Sequence, residues 1–260
     1  MRKGIYYSLL PGETPEEKFA AAARFGFAGV EIPTLGSASE RSRYLEAASA
    51  NGIKIPSVMN QAHWASPMSD PDPAVRAKSV EGMMTSLETA SAVGADTVLL
   101  VPAVVKPQVC TYQEAWDRSC PEIAKLITEY AARKVGIGIE NVWNKFLLSP
   151  LEFNRYVDDF NSPWVGAYFD VGNIMAYGYP EQWIVSLGHR LRKVHVKGFK
   201  VEDRTWCSLL ASSIDWAAVM SAFRQVGYDD IITGELKGDG DTHDARMINI
   251  STDMDKILAM

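Results

Sequence analysis

Eight short apolar runs rich in β-branched or aromatic residues alternate with helix-like stretches along the whole chain. They fall at roughly 3–8, 28–32, 54–58, 96–101, 136–140, 165–170, 192–197 and 231–235. The segments GFAGVEI, GADTVLL, VGIGIE and GYDDIITGE each place Gly or another small residue ahead of a strand. That is the helix–turn–strand joint of a repeated βα unit. Eight such units close into a barrel more naturally than they form an open sheet. The expected fold class is therefore α/β, a (β/α)8 TIM barrel, with residues 1–260 forming one domain.

The stretches between the strands carry helix punctuation. Thr14 is placed as an N-cap, with Pro15 at the first helical position and Glu17 set for a capping box. A long helix opens at DPAVRAKSV and ends on Gly94, a residue suited to a C-cap. Further helices are expected at about 112–134, 150–159, 180–188, 215–226 and 244–258.

Composition narrows the function classes. The chain has 260 residues, 47% of them hydrophobic, which suffices for one large core. Its net charge of −6 argues against a nucleic-acid partner, because such proteins present a basic face. Cys110, Cys120 and Cys207 are odd in number and widely spaced, so they read as reduced thiols. No run of 18 apolar residues exists, and the N-terminal apolar stretch is too short for a signal peptide. A cytoplasmic protein without a membrane partner is expected; homo-oligomerisation stays open.

Four residues at consecutive strand ends carry the functional signal. Glu140 closes VGIGIE, Asp170 closes VGAYFD, His195 lies in RKVHVKGF, and Glu235 follows IITG. In a barrel these ends converge, and like charges brought close raise one another's pKa. One divalent metal held by Glu140, Asp170, His195 and Glu235 resolves that conflict. Oxygen ligands with a single imidazole suit Mn²⁺, Mg²⁺ or Co²⁺, with Zn²⁺ also admissible. Such an ion would polarise a ketose carbonyl and stabilise an enediolate.

The stretches IENVWNKFLLSPLEF, YFDVGNIMAYGYPEQW, VHVKGFK and GYDDIITGELK resemble the sugar phosphate isomerase/epimerase family of xylose-isomerase-like TIM barrels, which includes ketose 3-epimerases. The resemblance extends over nearly the whole chain. It implies a divalent ion, most often manganese, on a Glu, Asp, His and Glu of the fifth to eighth strands. It also implies that the two glutamates, Glu140 and Glu235, are the catalytic acid and base. The substrate would be a small sugar or sugar phosphate, isomerised or epimerised. One segment departs from the family pattern: SLLASSIDW places Ala211, Ser212 and Ser213 where relatives carry an acid and glycine before the Asp-Trp pair.

Further residues are substrate-binding candidates: His63 and Trp64 after the third strand, Glu31 at the end of the second, Asn173, Lys197 and Arg204. Lys197 follows His195 by two and so points the same way. Lys197, Gly198, Lys200, Arg204, Lys237, Gly238 and Gly240 would suit a phosphate after the last two strands, but no compact anion motif is present. Two other enzymes fit the pattern less well. One is a metal-dependent dehydratase of an inosose-type keto-polyol. The other is an apurinic endonuclease, which four histidines and an acidic chain disfavour. A non-catalytic sugar-binding barrel is the reading outside enzymes.

Overall fold

A computed structural model describes Met1–Met260. Seven strands come first: β1 (Arg2–Tyr6), β2 (Gly29–Pro33), β3 (Ser57–Met59), β4 (Thr97–Leu100), β5 (Gly136–Glu140), β6 (Val165–Asp170) and β7 (Leu191–Val196). A two-stranded hairpin, β8 (Gly198–Lys200) and β9 (Thr205–Cys207), then precedes β10 (Ile231–Gly234). Strands β1 to β7 and β10 form a closed barrel, each parallel to its neighbours. Closure runs through β1, where Gly4 faces Gly29 on one side and Thr233 on the other.

The helices wrap this barrel. They are α1 (Pro15–Arg24), α2 (Ala38–Ala50), α3 (Ala62–Ala65), α4 (Pro73–Val93), α5 (Tyr112–Ala124), α6 (Ile127–Ala132), α7 (Pro150–Asp158), α8 (Val171–Ile174), α9 (Pro180–Leu187), α10 (Trp216–Gln225) and α11 (His243–Leu258). The Thr14 capping box forms as expected, and Gly94 ends α4 with φ 76°, a left-handed conformation that glycine adopts freely.

Besides the short helices α3 and α8, four features depart from the sequence reading. Helix α2 was not expected, although its Ser37–Glu40 capping box is present. Its buried face consists of Ala47 and Ala48, too small to show an apolar stripe. The stretch 112–134 divides at Lys125–Leu126 into α5 and α6. Strand β3 starts at Ser57 instead of 54, because Pro56 has no N–H to give the ladder; Lys54 keeps one isolated bridge to Gly29. The β8–β9 hairpin had no counterpart in the sequence reading.

The barrel interior is layered. At the N-terminal end, Ile231 fills the space beside Gly4 and Gly29, and a Cβ at either glycine would lie 2.5 Å from it. A register shift at Ala167/Tyr168 leaves Arg192 unpaired, and its side chain crosses Gly136 and Gly166. Higher in the barrel, the interior turns polar, with Glu31, Ser57, Tyr168 and His195 all buried. Burying so many polar groups is costly unless each is partnered.

Candidate metal centre

Those partners are found around His195. Its Nε2 lies 2.5 Å from Glu31 Oε2, and a carboxylate there accepts, so Nε2 carries the proton. Glu31 Oε1 in turn accepts from the Tyr168 hydroxyl (2.9 Å) and from Ser57 Oγ (3.2 Å). The imidazole is thereby fixed in orientation, with Nδ1 facing Glu140 Oε1 at 3.2 Å and Glu235 Oε2 at 3.6 Å. A carboxylate holding the far nitrogen of an imidazole is the usual support of a metal-ligating histidine.

Asp170 is held as firmly. Its N–H donates to Asn141 Oδ1, and its carbonyl accepts from Asn141 Nδ2, both at 2.8 Å. Its Oδ1 caps α8 by accepting from the Asn173 N–H at 2.8 Å. The remaining oxygen, Oδ2, is buried without a hydrogen-bond partner. Lys197 Nζ stands 2.9 Å from it as a counter-charge, without hydrogen-bond geometry, and donates instead to Glu235 Oε2 at 2.6 Å.

Glu140, Asp170, His195 and Glu235 each present one ligand atom, all within 4.8 Å of one another. Two bonds of about 2.4 Å to a common centre span that distance. With three carboxylates, an oriented imidazole and one unpartnered buried oxygen, the site fits a divalent ion.

The proton affinities follow from this crowding. Burial pushes Glu140 up to about 7, against the pull of His195. Burial also raises Asp170, although Lys197 opposes it. Glu235 goes the other way: His195 and Lys197 outweigh its burial and hold it below the usual carboxylate range. Burial disfavours charge on His195 and Lys197 too, yet the surrounding carboxylates hold both above their ordinary values. Two side-chain cations thus balance the acids where a divalent ion would otherwise do so.

The remaining expected site residues divide. His63 is buried near Glu235, and burial lowers its pKa to about 4, so it is neutral. Its Nδ1 accepts from the Val101 N–H at 3.5 Å. Trp64 stands edge-on to it and is 55% exposed. Of three further residues expected to touch substrate, Glu31 and Asn173 are engaged with partners inside the protein. Glu31 is fully buried with both oxygens engaged, so it positions His195. The Asn173 amide donates to the Asn141 carbonyl at 2.9 Å and braces the β5–β6 loops. Arg204 lies exposed at the turn between β8 and β9, with φ 52°.

The sequence reading missed Tyr168, Ser57 and Trp206. Tyr168 precedes Asp170 by two on β6 and so shares its inward face, a signal present in the strand period. Trp206 on β9 lines the mouth beside Lys197 and Glu235.

Comparison with known proteins bears on the fold and the enzyme class. L-ribulose-5-phosphate 3-epimerase UlaE of Escherichia coli O1:K1 / APEC is 28% identical over 242 residues, spanning 86% of this chain and 83% of that protein. The solved L-ribulose 3-epimerase superposes with TM-score 0.85 at 19% identity, covering 99% of this chain and 94% of the other. D-allulose 3-epimerase from Methylomonas sp. gives 0.83 at 19% identity, covering 99% and 98%. These relatives are named as sugar epimerases, in agreement with the enzyme class expected from the sequence. The xylose isomerase-like TIM barrel profile matches residues 19–254, and the chain is a member of that family.

Proposed function

We propose that this chain is a divalent-metal-dependent epimerase or isomerase of a small ketose or ketose phosphate, working as one barrel domain over residues 1–260. The observation that carries the reading is the convergence of Glu140 and Glu235 on His195 Nδ1 beside the unpartnered oxygen of Asp170. Glu140, Asp170, His195 and Glu235 would hold the ion, Mn²⁺ for preference. Bound there, the ion supplies Lewis acidity that polarises a ketose carbonyl and makes the neighbouring C–H acidic.

The protein's own groups then move the proton. One of Glu140 and Glu235 takes it from the carbon beside the carbonyl, and the other returns a proton to the opposite face. No net proton is gained or lost. Their unequal proton affinities suit such a pair, since one must hold a proton while the other accepts one. His63 and Trp64 border the reacting end, and Lys197 is placed to meet a substrate oxygen. The epimerase names of the relatives support 3-epimerisation. Three free cysteines fit a reducing cytoplasm, and no helix is long and apolar enough to cross a membrane.

The test is a panel of free and phosphorylated ketoses incubated with Mn²⁺-loaded protein in D₂O. New epimers or isomers carrying solvent deuterium beside the carbonyl are expected. Loss of water would instead identify a keto-polyol dehydratase. No product from any sugar would overturn the proposal.

A further inference from the structure

We infer that Trp206, carried by the β8–β9 hairpin, is a substrate contact that selects an uncharged ketose by stacking on its C–H face. This rests on the reading of the site as a ketose epimerase or isomerase.

Trp206 is 48% exposed on a hairpin that otherwise presents Val201, Glu202, Asp203, Arg204 and Thr205 to solvent. A large exposed indole in such a place needs a reason, and its surroundings hold it still. Trp143 stacks against it with ring centroids 4.9 Å apart and planes 28° apart. Trp143 is itself tied down, donating from Nε1 to the Asn173 carbonyl at 2.9 Å. Buried Phe199 meets both indoles edge-on. The hairpin is pinned from behind by the segment that departs from the family pattern. The Ser213 N–H donates to the Phe199 carbonyl at 2.9 Å, and Ser213 Oγ accepts from the Val201 N–H at 3.0 Å. That same hydroxyl donates to Glu202 at 3.0 Å. The altered Ala211–Ser213 loop is thus the support of the Trp206 hairpin.

Trp206 opens onto a cleft of about 690 Å³ that also contains Glu235, Lys197 and Tyr6. This lies within the range of small-molecule sites, roughly 300–1,000 Å³. Two cations, Lys197 and Lys237, line the cleft, and two carboxylates, Glu235 and Asp239, cancel them. No arginine lines it. A phosphate dianion finds no surplus positive charge there, whereas a sugar's C–H face meets the exposed part of an indole that Trp143 backs and the Lys197 ammonium overhangs at 5.3 Å from its centroid.

The experiment compares wild type, Trp206→Ala and Trp206→Phe, all loaded with Mn²⁺, on L-ribulose and L-ribulose 5-phosphate. Turnover is measured beside direct binding by calorimetry. Wild type should favour the free sugar by tenfold or more in kcat/KM. Trp206→Ala should raise KM for it about tenfold, the size of one aromatic contact. Its kcat, Mn²⁺ affinity and melting temperature should stay close to wild type, and Trp206→Phe should restore most of the loss. Preference for the phosphate, or an unchanged KM in Trp206→Ala, would overturn the inference. If wild type binds L-ribulose without turning it over and Trp206→Ala does not bind it, the stacking role stands and the epimerase reading falls. Neither binding nor turnover in wild type would overturn both.

Discussion

Strand β7 and the residue that follows it carry three basic side chains at two-residue intervals, Lys193, His195 and Lys197, and these meet opposite circumstances at the two ends of the barrel. Lys193, at the N-terminal end, is 3% exposed and lies between Asp96, at 2.8 Å, and Asp230. Asp230 also faces Arg2 and Lys54, each at 3.9 Å, and Asp96 Oδ1 accepts from the Thr97 hydroxyl at 2.7 Å. His195 and Lys197, at the C-terminal end, face three carboxylates, and one Asp170 oxygen is left without a hydrogen bond. Similar residues on one strand therefore close a structural ion pair below and leave a site able to take an ion above. The two ends differ in how many ligand atoms converge on one point: four at the upper end lie within 4.8 Å of one another. That is the physical content of the rule that barrel chemistry lies at the C-terminal strand ends.

The largest effect should separate the ends by activity. Replacing Glu140 or Glu235 with Gln removes a proton carrier while keeping its size. Turnover should fall about 10²–10⁴-fold with the fold intact. Metal content must be measured alongside, since Gln is a weaker ligand. Near-normal rates in metal-loaded Glu235→Gln would break the assignment of an acid–base pair.

The converse variant is Lys193→Met. It should leave KM and kcat near wild type and lower the stability measured in urea. A broken buried pair costs about 3–5 kcal/mol, but Asp96 and Asp230 are partly wet, so about 1–3 kcal/mol is expected here. The pH dependence has a definite sign. Burial would raise Asp230, but Lys193 outweighs it and holds the carboxyl below the usual range. The contribution is therefore present above the unfolded value, about pH 4, and disappears as pH falls through the folded one. A Lys193→Met protein as stable as wild type at pH 7 would remove the contrast.

Lys197→Met gives a smaller and conditional effect. Without metal, the variant leaves Asp170 Oδ2 and Glu235 Oε2 short of a counter-charge, so its melting temperature should fall. Saturating Mn²⁺ should erase most of that deficit, because the ion supplies the missing charge. An equal deficit with and without Mn²⁺ would show that Lys197, like Lys193, is structural.

How far each end could be read from the sequence follows from how local its signals are. The barrel was legible because its βα joints recur. The candidate cluster was legible because Glu140, Asp170, His195 and Glu235 each lie at or within one residue of the C-terminal end of a strand. Glu31 was not, because its partner His195 is 164 residues away and only closure of the barrel joins them. A buried acid at a strand end reads the same whether it faces a sugar or holds an imidazole. Asn173 misled for a similar reason, its amide being spent on the Asn141 carbonyl. Trp206 gave no signal, since a hairpin this short has no periodicity to set against its polar neighbours.

The smallest effect tests whether the C-terminal cluster is tuned for an ion at all. Before metal enters, Glu140 holds a proton up to about pH 7, and His195 holds one to higher pH than usual. Both must be free of protons at the ligating atom for an ion to bind, so proton and metal compete. The sign follows directly: as pH falls through 7, Glu140 takes up its proton and Mn²⁺ affinity drops. Between pH 8 and pH 6 the loss should be about tenfold from Glu140 alone, near 1.4 kcal/mol. His195 adds to the same dependence, because, despite its burial, the surrounding carboxylates hold its proton more tightly than usual. Asp230, held below the usual carboxylate range, keeps its charge over this interval, so stability lost by the metal-bound protein between pH 8 and 6 should track metal release. Calorimetric titration of Mn²⁺ at both pH values, with proton release measured in two buffers, checks this. Equal affinities without proton release would mean that the acids already stand ionised, and the contrast between the two ends would then be one of position alone.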